Sequence, residues 1–166
     1  MSLFFGASSS AFGIDLSDLS IKAVVIQHAR GRDTVLSYGA VGLPSGAIVD
    51  GEIQRSEVVQ QAIVDLLHRA GPRKITSKNV ICSLPETKEF LRILTLPKMK
   101  PEDVVEAIKW EIEANIPLTL DQVYYDWQIL DERFVAEENK MSILVVVVER
   151  SVVDQFVNVL EGAGLT

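Results

Sequence analysis

The chain has 166 residues, 48% of them hydrophobic and 23% charged, and its formal net charge at pH 7 is -7. This composition is typical of a folded protein with one ordinary domain or two small ones. The acidic balance disfavours binding to nucleic acid or to an anionic membrane, because like charges repel at long range. No apolar run approaches the roughly 20 residues that span a bilayer, and residues 1–6 lack the basic flank of a signal peptide. We therefore expect a cytoplasmic protein that does not insert into a membrane directly.

Residues 1–11 are rich in Ser, Gly and Ala, a composition that predicts a flexible lead-in. Runs with β-branched residues then predict three strands, at residues 12–16, 20–29 and 34–41. Short polar turns join these strands, so we expect an antiparallel meander.

The turn between the first two predicted strands, from Gly13 to Lys22, is the most informative local feature. Backbone N–H groups and hydroxyls in such a turn can face a phosphate, and the carboxylate of Asp15 can hold a cation through water. The same residues also suit an ordinary hairpin whose polar side chains satisfy their own turn. Local chemistry alone favours the hairpin, and the phosphate site remains as the alternative.

A helix is predicted to start at Ser56, whose hydroxyl would cap it, and to stop at Gly71-Pro72. The apolar run at residues 79–84 predicts a strand that returns parallel to the first strand, because a helix separates the two. Cys82 lies in this run and is expected to behave as a small hydrophobe. His28 and His68 lack metal-ligand spacing, and no serine stands in a nucleophile elbow, so no complete catalytic set is predicted.

The second half predicts the order strand, helix, strand, strand, helix. The elements are a strand at 90–96, a helix from Pro101 to about Asn115, strands at 122–130 and 142–149, and a helix from Ser151 that ends at Gly162 and Gly164. A charged loop at 131–140 separates the two later strands. The run of aliphatic residues in the second of these strands indicates a central strand buried on both faces.

Three segments together resemble the PilM family of cytoplasmic actin-like proteins of type IV pilus assembly. They are Gly13–Lys22, the segment Leu43-Pro44-Ser45-Gly46 through Ile53, and Ile108-Lys109-Trp110-Glu111 followed by Ile116-Pro117. The similarity runs from about Phe12 to Leu165. It implies an α/β (α+β) fold with a partial actin-like, ribonuclease H-like subdomain 1A at residues 12–85, and an SHS2-like subdomain 1C at 86–166, as in FtsA. The length implies a fragment of a longer actin-like ATPase fold.

The resemblance implies a first phosphate loop for ATP and magnesium. Its residues would be Asp15, Ser17, Asp18, Ser20 and Lys22, with Asp15 nearest the metal. The chain departs from the family pattern, with Ser17 in place of a glycine and with Asp18 and Leu19 in place of small hydroxyl residues. A side chain at 17 restricts backbone approach, and a carboxylate at 18 repels phosphate. At most half of a nucleotide cleft is expected, and ATP hydrolysis by this chain alone is not.

The family also implies a partner, the cytoplasmic tail of a PilN-like inner-membrane protein, held in a groove between the two subdomains. Aromatic residues suit such a groove, and the candidates are Trp110, Tyr124, Tyr125 and Trp127. The alternative is that Tyr125 and Trp127, which share strand parity, fill the core while Tyr124 lies on the opposite face.

The leading hypothesis is thus a pilus adaptor that lies at the inner membrane through its partner. The alternatives are an ATP-binding switch or weak ATPase of the actin superfamily, and an FtsA-like or type II secretion scaffold.

Overall fold

The computed structural model describes residues 11–131 and 139–166, so nearly all of the expected lead-in and most of the expected charged loop lie outside the described residues. The chain divides into two compact units. The first holds the described residues up to Thr87 together with Gln155–Thr166, and the second is Lys88–Asp154. Among the described residues, no helix is both long enough and apolar enough to cross a membrane.

The first unit contains a five-stranded sheet. Its strands are β1 (Phe12–Ser17), β2 (Ser20–Ala29), β3 (Arg32–Gly42), β6 (Gly71–Pro72) and β7 (Val80–Cys82), and a separate two-stranded ribbon is formed by β4 (Ile48–Val49) and β5 (Glu52–Ile53). The order in the large sheet is β6-β3-β2-β1-β7. The predicted meander is confirmed, and so is the parallel return, because β7 pairs with β1 in parallel register.

Helix α1 (Ser56–Arg69) covers one face of this sheet. A Cβ added at Gly39 of β3 would lie 2.9 Å from the Cδ1 of Leu66, so the helix and the sheet are in close contact. The predicted cap is wrong: Ser56 is the first helical residue, Arg55 is the N-cap, and no side chain caps the helix. Burial of the apolar stripe of α1 therefore fixes this helix without help from a cap.

The second unit is a three-stranded antiparallel sheet with one helix on it. It contains β8 (Glu89–Pro97), α2 (Pro101–Asn115), β9 (Val123–Ile129), β10 (Lys140–Glu149) and the start of α3 (Arg150–Gly162). The sheet order is β8-β10-β9, so the predicted central position of the aliphatic strand is confirmed. The stripe of α2 packs on this sheet, and the buried cluster consists of Val104, Ile108, Ile112, Val123, Ile143, Val145 and Val147.

The last twelve residues differ from the expectation, which assigned all of 86–166 to the second unit. They lie with the first unit because the backbone N–H of Thr166 donates to the carbonyl of Lys78 at 2.8 Å, and the N–H of Val80 donates to the carbonyl of Thr166 at 3.0 Å. Gly162 of α3 also lies directly against the side chain of Gln60 in α1. These bonds join residues about 90 positions apart, which no local pattern encodes.

Candidate functional site

A polar cluster lies at the end of β1, on the sheet face opposite α1. Asp15 and Lys22 are register partners on β1 and β2, and Lys22 Nζ lies 3.7 Å from Asp15 Oδ2. The hydroxyl of Ser17 donates to the same carboxylate oxygen at 2.9 Å, and the hydroxyl of Ser83 donates to the other at 3.0 Å. Strand alternation places the carboxylate on this face, because Phe12, Ile14 and Leu16 point into the core.

Ser83 was not among the predicted site residues. It follows β7, which pairs in parallel with β1, so the ends of the two strands meet at one edge of the sheet. The predicted parallel return of residues 79–84 was the signal that could have placed Ser83 beside Asp15. The cluster therefore has one carboxylate, one ammonium group and two hydroxyls.

Asp18 was expected to belong to this set, but its carboxylate is used elsewhere. It accepts hydrogen bonds from the backbone N–H of Asp50 at 2.9 Å and of Gly51 at 3.1 Å. These two residues form the turn of the β4–β5 ribbon and both have positive φ, 50° and 77°. Asp18 thus joins the β1–β2 turn to a second turn, and its negative charge is engaged by two N–H donors.

Gly51 in the same turn lies against Pro85. A Cβ at this position would come within 2.6 Å of the proline Cβ, and the φ of 77° is one that L side chains rarely adopt. Both conditions call for glycine here.

The thiol of Cys82 is chemically inert. Burial, and after it the nearby carboxylate of Asp15, raise its pKa to about 12. A thiol with this pKa is not a thiolate at neutral pH, so Cys82 is not a nucleophile. Its Sγ lies 3.3 Å from the carbonyl of Ser83.

The polar cluster suits only part of a nucleotide site. Asp15 would hold a magnesium ion through water, and Lys22 would neutralise a phosphate, with Ser17 as a further hydroxyl. Ser20 faces Ser17 in the β1–β2 register. The described residues contain no cluster of three or more His, Cys, Asp or Glu that could hold a metal directly.

The four aromatic candidates in the second unit do not share one surface. Tyr125 and Trp127 pack against the buried cluster under α2, as the core alternative predicted. Tyr124 lies on the opposite face of β9, where its hydroxyl donates to Asp154 Oδ1 at 3.2 Å and the guanidinium of Arg150 lies 4.3 Å from its ring centroid. Trp110 on α2 is 71% exposed. Of these four candidates, Trp110 and Tyr124 are therefore the exposed ones.

A groove between β8 and α2 was not predicted. It encloses a cavity of about 90 Å³, and its walls include Phe90, Arg92 and Leu94 from β8 and Ile112, Asn115 and Ile116 from α2. The strand at 90–96 was predicted, but its apolar run did not indicate which of its side chains would stay exposed. The position of β8 at the edge of the sheet determines which side chains stay exposed.

The model of the protein family described as "Type IV pilus assembly protein PilM" matches residues 13–166 of this chain. A Type II secretion system protein L from Xanthomonas campestris pv. campestris is 34% identical over 71 residues, which cover 43% of this chain and 18% of that protein. The curated relative is thus much longer than this chain.

Two solved structures share the fold. The PilM-PilN type IV pilus biogenesis complex matches with a TM-score of 0.80 at 24% identity, over 95% of this chain and 46% of that chain. The cytoplasmic domain of EpsL, an inner membrane component of the type II secretion system of Vibrio cholerae, matches with a TM-score of 0.55 at 13% identity, over 95% of this chain and 54% of that one. The fold is that of the actin-like PilM proteins, and the chain belongs to the family of type IV pilus assembly proteins PilM.

Proposed function

We propose that this chain is the part of a PilM-type adaptor that docks the cytoplasmic tail of a PilN-like inner-membrane protein. The observation that carries the proposal is the exposed apolar groove between β8 and α2 in the second unit. A groove of this kind suits a short peptide, because it offers an apolar pocket beside an open strand edge. The solved PilM-PilN complex shares the fold over 95% of this chain and supports the choice of partner.

This role places the chain at the cytoplasmic face of the inner membrane, held there by its partner. The resemblance to PilM predicts a groove between the two subdomains for this tail, whereas the groove between β8 and α2 lies within the second unit alone, so the two placements are alternatives. The proposal requires no turnover: binding of the tail is the function.

Calorimetric titration of the chain with a synthetic peptide of the N-terminal tail of the PilN-like protein from the same organism tests the proposal. We expect saturable binding with a stoichiometry of one peptide per chain. A peptide of the same composition in scrambled order is the control. Absence of saturable binding by the native tail, or equal binding of the scrambled peptide, contradicts the proposal.

A second candidate is a nucleotide-responsive switch, favoured by the cluster of Asp15, Ser17, Lys22 and Ser83. In this case ATP with magnesium binds at the end of β1. Titration with Mg-ATP should then give an affinity that falls in Lys22→Ala and stays unchanged in Lys74→Ala, an exposed lysine away from the cluster. If Lys22→Ala leaves the affinity for Mg-ATP unchanged, the cluster only closes a hairpin.

The third candidate is a type II secretion scaffold, which the 34% identity to a protein L supports over 71 residues. Deletion of the gene distinguishes a role in pilus assembly from a role in type II secretion. Loss of surface pili with secretion intact supports the pilus role, and loss of secretion with pili intact supports the scaffold.

A further inference from the structure

The first unit carries most of its positive charge at one end of its sheet. Six of its eight Lys and Arg residues are exposed and lie where β1 starts, on the β2–β3 turn, at the end of α1 and in the link from β6 to β7: Arg30, Arg32, Arg69, Arg73, Lys74 and Lys78. We call this set the basic end. Among the residues that the structure describes, none of the six takes part in an ion pair.

The link between β6 and β7 sets three of these cations in a row. β6 and β7 are the outer strands of the five-stranded sheet, so they are about 19 Å apart. The linking residues 73–79 can span little more than about 25 Å even when fully extended, so the link crosses the sheet nearly straight. It crosses at the start of β1, because Val80 pairs with Phe12. Its cations therefore lie along this end of the sheet.

Hydrogen bonds to its backbone hold this link in place. The hydroxyl of Ser37 on β3 donates to the carbonyl of Arg73, and the N–H of Thr166 donates to the carbonyl of Lys78 at 2.8 Å. A cavity of about 140 Å³ lies between the link and the strands β2 and β3. Because these bonds use main-chain atoms, replacement of the side chains of Arg73 and Lys74 should leave the link where it is.

The β2–β3 hairpin projects from the same end and adds exposed apolar side chains. Val24 lies opposite Gly13, so residues 26–29 extend about 13 Å past the start of β1. Ile26 and Val35 are register partners, and they are 53% and 54% exposed. Apolar side chains beside a group of cations suit a membrane surface, where apolar burial and attraction to anionic lipid act together.

The acidic groups of the unit weaken this end only in part. Asp18 and the turn that it binds lie past the far end of β1, about 17 Å away, whereas the Debye length at physiological ionic strength is about 8 Å. The nearer carboxylates are those of Asp33, which contacts His28, of Asp65, one helical turn before Arg69, and of Glu161 and the last residue, Thr166, toward β7. The positive charge is therefore greatest at Arg73 and Lys74.

We propose that the basic end binds the surface of a bilayer that contains anionic phospholipid. Arg73 and Lys74 would contact headgroup phosphates, and Ile26 and Val35 would enter the interface. A flat surface touches this end alone, so the net charge of -7 does not prevent binding at short range. The apolar pair favours lipid over nucleic acid, whose phosphate backbone offers no apolar surface to bury. The inference goes beyond the proposed function and adds a direct lipid contact to the attachment through a partner.

Co-sedimentation of the full chain with vesicles tests the inference. The vesicles are phosphatidylcholine alone or with about one part in three of phosphatidylglycerol. The first variant combines Arg73→Gln with Lys74→Gln, and its control combines Arg55→Gln with Lys100→Gln, two exposed cations outside the basic end. The second is Ile26→Ala, with Leu19→Ala in the β1–β2 turn, 73% exposed, as its control.

We expect binding to the anionic vesicles only, with release as salt rises from about 0.1 M to about 1 M, since the Debye length falls from about 10 Å to about 3 Å. A cation at a membrane surface contributes about 1 kcal/mol, about fivefold in affinity. The first variant should therefore bind about 25-fold more weakly, and its control should change binding less than about twofold. Ile26→Ala should weaken binding about fivefold, because each buried CH₂ contributes about 0.8 kcal/mol, and Leu19→Ala should not.

The contrary outcomes are equally definite. Equal binding to both kinds of vesicle, equal loss in the first variant and its control, or no binding at all overturns the inference. A short DNA duplex and inorganic phosphate are the competing ligands. If either binds more tightly than the anionic vesicles with the same variant pattern, the basic end is a nucleic-acid or small-anion site and the membrane inference is wrong. No arm contains the PilN-like tail, so failure here leaves the proposed function standing.

Discussion

Asp18 is expected to be a structural residue, so its replacement should cost stability and leave nucleotide binding unchanged. Its carboxylate accepts two backbone hydrogen bonds, from Asp50 and Gly51, at 2.9 and 3.1 Å. Hydrogen bonds to a charged group contribute about 1.5–3 kcal/mol each, and partial exposure reduces this, so we expect Asp18→Ala to lower the free energy of unfolding by about 2 kcal/mol. For a chain of this size the melting temperature should fall by about 4–8 °C.

Urea and thermal unfolding followed by circular dichroism measure this change. Asp33→Ala is the matched control, because the Asp33 carboxylate makes only an exposed contact, to His28 Nδ1 at 2.7 Å, and exposed polar pairs of this kind contribute about 0–1 kcal/mol. A parallel titration with Mg-ATP completes the test. If Asp18→Ala is as stable as the wild type, or if it weakens Mg-ATP binding as much as Lys22→Ala does, the structural role assigned to Asp18 is refuted.

Three further predictions concern other positions. Gly51→Ala should destabilise the chain by about 1–3 kcal/mol more than Gly46→Ala in urea unfolding, because both glycines have positive φ but only the Cβ at 51 overlaps a neighbour; equal losses would argue against the overlap. Cys82 should resist iodoacetamide at pH 8, and rapid labelling of the folded chain would contradict this. The free energy of unfolding should also fall as the pH rises from about 9 toward 12. In that range the thiol ionises in the unfolded chain, whereas in the folded chain it keeps its proton. Trp127→Ala should cost about 2–4 kcal/mol and Trp110→Ala less than about 0.5 kcal/mol, because only the former packs on the core; the reverse order in thermal unfolding would show the faces to be misassigned.

Local patterns predicted most of the fold. The predicted strand at 20–29 matches β2, and the predicted helix from Pro101 to about Asn115 matches α2, because each has a strong periodic pattern and clear turn residues at its ends. Strand parity also separated Tyr124 from Tyr125 and Trp127 correctly. These features depend on residues that are close in sequence.

The candidate site was harder to predict, since its contacts join distant segments. Asp15 meets Ser83 across 68 positions, and Asp18 meets Asp50 across 32. From the sequence alone, the carboxylate of Asp18 is interpreted as a group that repels phosphate. Its actual role, binding the turn at Asp50 and Gly51, is known only from the structure. The groove beside β8 depends on strand order in the sheet, which places this strand at the edge and leaves it exposed.

The most direct test of the account is amide hydrogen exchange of the chain with and without the PilN-like tail. Amides of an edge strand exchange readily, and pairing with another strand protects them. We expect the tail to slow exchange within Glu89–Pro97 and to leave β2 and β3 unchanged. Unaltered exchange in Glu89–Pro97 at saturating tail would contradict the account.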